Sequence, residues 1–464
     1  MNSAGGFRGI VVVGLVLVIV STATAKYSGG TGEPNDPYQI ATAADLIALG
    51  ETPEDYDKHF ILTADIDLDP NLPGGEVFDK AVIAPHGSVA FAGVFDGDGH
   101  TISHLTITGG GFLGLFGDLE GGAVMDLGMA DVNITGSGAV GGLAGVSGSD
   151  VARCYSTGIV SGDGSIGGLV GELYGTATDC YSTCVVRGGW MAGGLAGEKG
   201  GAVMNCYSAG AVSGVGGLVG CWTEALFQPG VTSCFWDTEA SGQTTSAGGT
   251  GLTTIQMHNP EVFIAAGWDF VGETENGTSQ IWQIPKGGGY PILAVFSDYT
   301  PPQLQGVGTT ENPYLISNAS ELGAIIYYSP HAHYRLAGSI DLAAIRWATP
   351  VIPWFSGTFD GNGLTISNLN MLGGDYLGLF GHLGAEAHVR NLGVVDANIV
   401  GTGNYIGGLA CSNSGDISRC YTTGAVSSKG GWAIHIGGLV ANNNGTVTWC
   451  HNTAAVSGNA IVGG

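Results

Sequence analysis

Apolar and small polar residues alternate along most of this chain in short runs such as Ala211-Val212-Ser213, and glycine punctuates both ends of each run. A period of two puts neighbouring side chains on opposite faces of a strand. Val, Thr, Tyr and Cys suit that conformation, and the flanking glycines break any helix. The runs themselves repeat. Gly141-Gly142-Leu143-Ala144-Gly145 returns as Gly167-Gly168-Leu169-Val170-Gly171, then at Gly193 to Gly197 and at Gly216 to Gly220, with steps of 26, 26 and 23 residues. A second beat falls between these units: Cys154-Tyr155-Ser156, Cys180-Tyr181-Ser182, Cys206-Tyr207-Ser208 and Cys234-Phe235-Trp236. A unit of this length holds three short strands and three turns, and such a coil buries its inner face only when others stack on it at ~4.8 Å. The pattern predicts an all-β parallel solenoid with ladders such as Leu143/Leu169/Leu195/Leu218. Glycine is expected at corners that demand positive φ or close backbone approach. Helical repeats fail for want of ten-residue helical stretches, and a propeller wants ~40 residues per blade.

A larger duplication encloses the small one. Phe95-Asp96-Gly97-Asp98-Gly99 matches Phe359-Asp360-Gly361-Asn362-Gly363, Leu115-Phe116-Gly117 matches Leu379-Phe380-Gly381, and Cys154-Tyr155 matches Cys420-Tyr421. Two modules are therefore expected, 26–298 and 299–464, joined where Pro301-Pro302 makes a stiff link. The second stops inside a unit and reads as truncated at its C-terminus. Thr42 with Asp45, and Asn318 with Glu321, have the spacing of helix N-caps. A short amphipathic helix after each would cover the open end of its solenoid, where unpaired strand edges invite aggregation.

Composition narrows the setting. Glycine supplies 85 of 464 residues without a Gly-x-y period, which excludes collagen. Thirteen Lys and Arg against 39 Asp and Glu give a formal charge of -26, which argues against nucleic acid and anionic membranes as partners. Arg8, the apolar run Ile10 to Val20 and the small-residue exit Ala23-Thr24-Ala25 form a secretory signal peptide over 1–25. That run is too short to span a bilayer, which takes ~20 residues. The mature chain is expected to be secreted or at the cell surface, with no membrane span.

On its Gly-Gly-Leu-Val-Gly units, including Gly407-Gly408-Leu409-Ala410 and Gly437-Gly438-Leu439-Val440, the sequence resembles the GLUG-motif proteins, exported bacterial repeat proteins. The resemblance implies a right-handed parallel β-helix outside the cell and implies no reaction. Cys411 and Ala441 replace the last glycine of the unit in the second module, where a looser corner is expected.

Candidate chemistry is sparse. Asp96 and Asp98, with Asp360 in the second module, have the oxygen spacing that opens a Ca2+ loop. An EF-hand also needs glutamate at the twelfth position, where Ile107 stands, so a turn rich in Asp and Gly is the simpler reading. His331 and His333, aligned with Asp57 and His59, are near enough on a strand to share a metal, but two ligands seldom suffice. Cys154, Cys180, Cys206 and Cys234 share one phase of the repeat. Disulfides between adjacent coils are geometrically allowed, while a buried ladder of small apolar side chains is simpler. Pectin-type hydrolysis wants paired carboxylates, and the acid-dense segments Glu51 to Asp57 and Asp65 to Asp69 sit outside the regular coils. No nucleophile elbow, phosphate loop or zinc signature occurs. The function expected is a structural or adhesive solenoid binding extracellular glycans or surface proteins, with Tyr155, Tyr181 and Tyr207 as sugar platforms if they face outward. The alternative is a β-helix polysaccharide lyase or hydrolase.

Overall fold

The computed structural model describes residues 26–189, 191–222, 230–429, 435–459 and 461–463; the expected signal peptide, 1–25, lies outside them. The chain winds into a parallel β-solenoid. From Tyr38 to Leu252 the strands form three principal ladders. The first sheet has eight strands, from Tyr38–Ile40 to Val231–Thr232. The second has five, from Phe116–Leu119 to Val219–Trp222, and the third has eleven, Gly128–Gly136 and Tyr155–Gly162 among them. From Tyr314 onward a separate set repeats the plan, with six strands in the counterpart of the first sheet and four in that of the second. Coils pair in register: Ala144 lies beside Val170, Val170 beside Ala196, and Ala196 beside Val219.

Packing inside the coil explains both beats of the repeat. The leucine ladder Leu143, Leu169, Leu195 and Leu218 is buried in the first core, together with Cys154, Cys180, Cys206 and Cys234. The second glycine of each unit sits where the serine of the Cys-Tyr-Ser beat arrives from across the coil. A methyl on Gly142 would overlap Ser156, one on Gly168 would overlap Ser182, and one on Gly194 would overlap Ser208. Ser156 Oγ donates to Gly168 O at 2.8 Å and Ser208 Oγ to Gly217 O at 2.6 Å, so the two beats are halves of one contact.

These glycines serve close approach and not left-handed backbone. None of Gly141, Gly142, Gly167, Gly168, Gly193 or Gly194 has positive φ. The left-handed corner falls instead on the residue before each of these cysteines: Arg153, Asp179, Asn205, Ser233, Arg419 and Trp449 have φ of 50–55°. Asp and Asn tolerate that conformation best among residues with a Cβ. In the strand set after Tyr314, Cys411 replaces the unit's last glycine and is fully buried, its Sγ 3.4 Å from Phe380 O, so the chain stays tightly packed there.

The helix Ala43–Gly50 begins on a complete capping box, Thr42 Oγ1 accepting from Asp45 N and Asp45 Oδ2 accepting from Thr42 N. It buries Leu46 and Leu49 in the first core. The helix Ala319–Ala324 has Asn318 as N-cap, but its Glu321 reaches one residue further back, to Ser317 N at 2.7 Å. Leu322 carries it into the second core.

Tyr155, Tyr181 and Tyr207 do point away from the coil interior, yet they offer no platform for a sugar. They stack on one another at 5.1 and 5.0 Å and are roofed by the segment after the last coil, where Trp268 and Trp282 are fully buried. Under this roof Trp282 Nε1 donates to Asp179 Oδ1 at 3.1 Å. Burial pushes the Asp179 carboxyl up to about 7, against the opposing pull of Trp282 and Arg153. A folded-state value above the unfolded one, ~3.9, costs stability progressively as pH rises from about 4 through about 7. Asp179→Asn keeps the acceptor for Trp282 and removes the charge. Its unfolding free energy should match the parent near pH 4 and exceed it above pH 7 by on the order of 2–4 kcal/mol, read by chemical denaturation at the two pH values. Equal gains at both ends of the pH range would contradict a charge effect.

Candidate functional site: a groove between two solenoids

The second solenoid packs against the flank of the first. Along the first sheet, Phe95, Val124, Val151, Ala177 and Val203 point into the core. The alternate residues point outward, and Val94, Ala123, Met125 and Ala152 are buried there under Trp354. Trp354 belongs to the four-stranded sheet of the second solenoid, where it heads an outward row with His382, Ser412 and Asn442. Polar bonds tie the seam: Arg153 Nη2 donates to Ile326 O at 3.4 Å, and Asp375 accepts from Gly230 N at 2.5 Å.

Where the two faces diverge they leave a groove of about 310 Å³. Its walls carry Asp150, Tyr174 and Thr176 from the first solenoid and Trp354, Tyr376, His382 and Tyr405 from the second. Tyr376 and Tyr405 adopt positive φ, 55° and 58°, at equivalent corners of successive coils. Their rings stack at 4.9 Å, and His435 continues the stack at 4.9 Å, so an aromatic staircase forms one rim. Tyr174 is half exposed. Burial raises the Asp150 carboxyl above the usual range, opposed by His382 and by hydrogen bonding from Thr176. Aromatic rings with a few convergent hydroxyl, carboxyl and imidazole groups are the chemistry that holds a polyhydroxylated ligand: apolar ring faces take C–H surfaces, and fixed polar groups take hydroxyls.

The residues singled out from the sequence lie elsewhere. Asp96 and Asp98 form a turn in which Asp96 Oδ1 accepts from Asp98 N at 2.9 Å. Burial, then the neighbouring Asp126, pushes Asp96 up to about 8. Asp360 is engaged by Asn362 N at 2.9 Å, Asn391 Nδ2 at 3.0 Å and Arg390 Nε at 3.2 Å. All nine cysteines are free thiols. In their ladder Cys154 N donates to Cys180 Sγ at 3.4 Å, and Cys180 N and Cys206 N repeat the contact one coil on at 3.3 Å. His333 bonds Thr310, whereas His331 turns away from it to pack on His59. The groove aromatics were missed because they break the repeat: Trp354 and Tyr405 stand where the matching earlier segments have Ala90 and Ala139.

No family model matches the chain. Halomucin from Haloquadratum walsbyi is 36% identical over 145 residues, 30% of this chain and 2% of halomucin. A protein provisionally named a glycine-rich membrane protein, from Evansella cellulosilytica, is 36% identical over 129 residues, 25% of this chain and 15% of the relative. The matches thus span a small part of either relative's length. Among solved structures, a Bacteroides ovatus protein provisionally described as an immunoglobulin A1 protease is similar at a TM-score of 0.43 and 18% identity, over 58% of this chain and 96% of that one. Among the described residues, no helix is long and apolar enough to cross a membrane.

Proposed function

We propose that this chain is an exported, cell-surface solenoid of the GLUG-motif kind, built from two capped modules, which attaches to glycans through the groove between them. The observation that carries the reading is the groove itself, where aromatic and polar side chains from both solenoids converge on about 310 Å³, within the roughly 300–1,000 Å³ of small-ligand sites. The parallel solenoid fold and the partial similarity to halomucin are compatible with a structural role at a cell surface. A net charge of -26 favours neutral or cationic glycans over polyuronates.

The test is retention of the purified chain on a panel of immobilised polysaccharides, with the eluate assayed for cleavage products. Retention is expected without cleavage. Trp354→Ala and Tyr405→Ala should each weaken it by about tenfold, the loss of ~1.4 kcal/mol. Tyr155→Ala, beneath its roof, should leave it unchanged. Retention indifferent to both groove variants would refute the groove as the site. Cleavage that vanishes in Asp150→Asn would replace this reading with a polysaccharide lyase or hydrolase.

A further inference from the structure

A second cavity, of about 250 Å³, lies farther along the same seam and contains three polar atoms that nothing satisfies. His59, from the first solenoid's strand His59–Leu62, meets His331, which precedes the second solenoid's strand His333–Leu336. Their rings stand edge to face with centroids 4.1 Å apart. His331 is 5% exposed, and both its Nδ1 and its Nε2 are buried without a hydrogen-bond partner. His59 Nδ1 is in the same condition. Asp96, Asp98 and Asp126 line the cavity with them. Asp126 is held by Arg153 at 2.6 and 2.7 Å, and Asp96 spends one oxygen on its own turn, which leaves carboxylate oxygens on Asp96 and Asp98 to face the space.

An orphaned buried ring nitrogen is costly, on the order of 1–3 kcal/mol, and its usual explanation is an ion or a water. A lone water could bond each ring but would make no use of the carboxyl groups of Asp96 and Asp98 beside it. Hydrophobic side chains would close this seam at no such cost. Two neutral imidazoles, one from each solenoid, with carboxylates behind them, are the donor set of a late first-row divalent cation. We infer that the His59–His331 cavity binds one Zn2+ ion, which ties the two solenoids together through both imidazoles, a carboxylate of the same wall and water. Among the described residues no three such side chains already stand close enough to hold an ion, so Asp96 or Asp98 must swing to complete the site. The inference does not rest on glycan binding: Trp354 of the groove packs edge-on against His331 at 5.4 Å but supplies no donor to the ion.

The experiment is calorimetric titration of Zn2+ into the chelator-stripped chain at neutral pH, with zinc-edge X-ray absorption on the loaded protein. One saturable site is expected, with a shell of two imidazole nitrogens and oxygens. His59→Gln and His331→Gln should each weaken it at least about tenfold. His104→Gln, at the surface beside Asp67, should leave it unchanged. The absorption spectrum of the unaltered chain keeps the test independent of how well the variants fold. No zinc uptake, a shell without imidazole, or uptake unaffected by both seam variants would overturn the inference.

Discussion

Replacing Arg153 by methionine should destabilise the chain by about 3–5 kcal/mol, the usual cost of stripping one partner from a buried ion pair. Arg153 and Asp126 are 4% and 5% exposed, and the guanidinium clamps the carboxylate through Nε at 2.7 Å and Nη2 at 2.6 Å. Burial raises the Asp126 carboxyl even with Arg153 beside it. Without the arginine its value must rise further, so the folded variant would take up a proton that the unfolded chain does not. Stability would then fall as pH rises from the unfolded carboxylate value, ~3.9, toward the raised one, and the deficit against the parent should shrink on acidification. The same guanidinium reaches Ile326 O in the second solenoid, so the seam should loosen as well. Chemical denaturation across pH reads the first effect. Arg153→Met with Asp126→Leu should recover most of the loss, because no buried charge is then left unpaired. A single variant within about 1 kcal/mol of the parent would mean that the pair is not buried as described.

Gly167→Ala should cost about 3 kcal/mol, the upper end of what overpacking usually does. Its methyl would meet the Val170 carbonyl oxygen and the Ala196 Cα, both backbone atoms of the stack, which cannot rotate aside. Gly189→Ala is the control: its methyl would meet nothing within 4 Å, so its effect should be within about 0.5 kcal/mol. The contrast separates close approach from the general loss of glycine freedom, which acts at both sites. Equal melting temperatures for the two variants would show that the corners are not packed backbone to backbone.

Much of the coil was legible in the sequence because each position of a solenoid meets the same neighbours in every turn. Leucine and cysteine recur at one phase because their ladder contacts recur, and the 26-residue register is visible directly in Ala144, Val170 and Ala196. The pairing of glycine with serine across the coil could not be read, since residues 142 and 156 are brought together only by the turn between them. The groove was illegible for a different reason. It depends on two solenoids meeting laterally, and Asp150 and His382 have no sequence relation that announces it. Its available signal was asymmetry, aromatic residues at Trp354 and Tyr405 where the first copy has alanine. The tyrosines of the Cys-Tyr beat were conspicuous for the opposite reason, and their regularity marks scaffold under a roof of tryptophan. His59 and His331 likewise gain meaning only across the seam.

The most direct test of a glycan site shared by two solenoids is a crystal structure of the chain with the oligosaccharide it retains best. The sugar should lie between the first and second solenoids, in contact with Trp354, Tyr376 or Tyr405 on one wall and Asp150 or Thr176 on the other. Solenoids that stand apart, or a sugar bound on another face with the groove empty, would contradict the account.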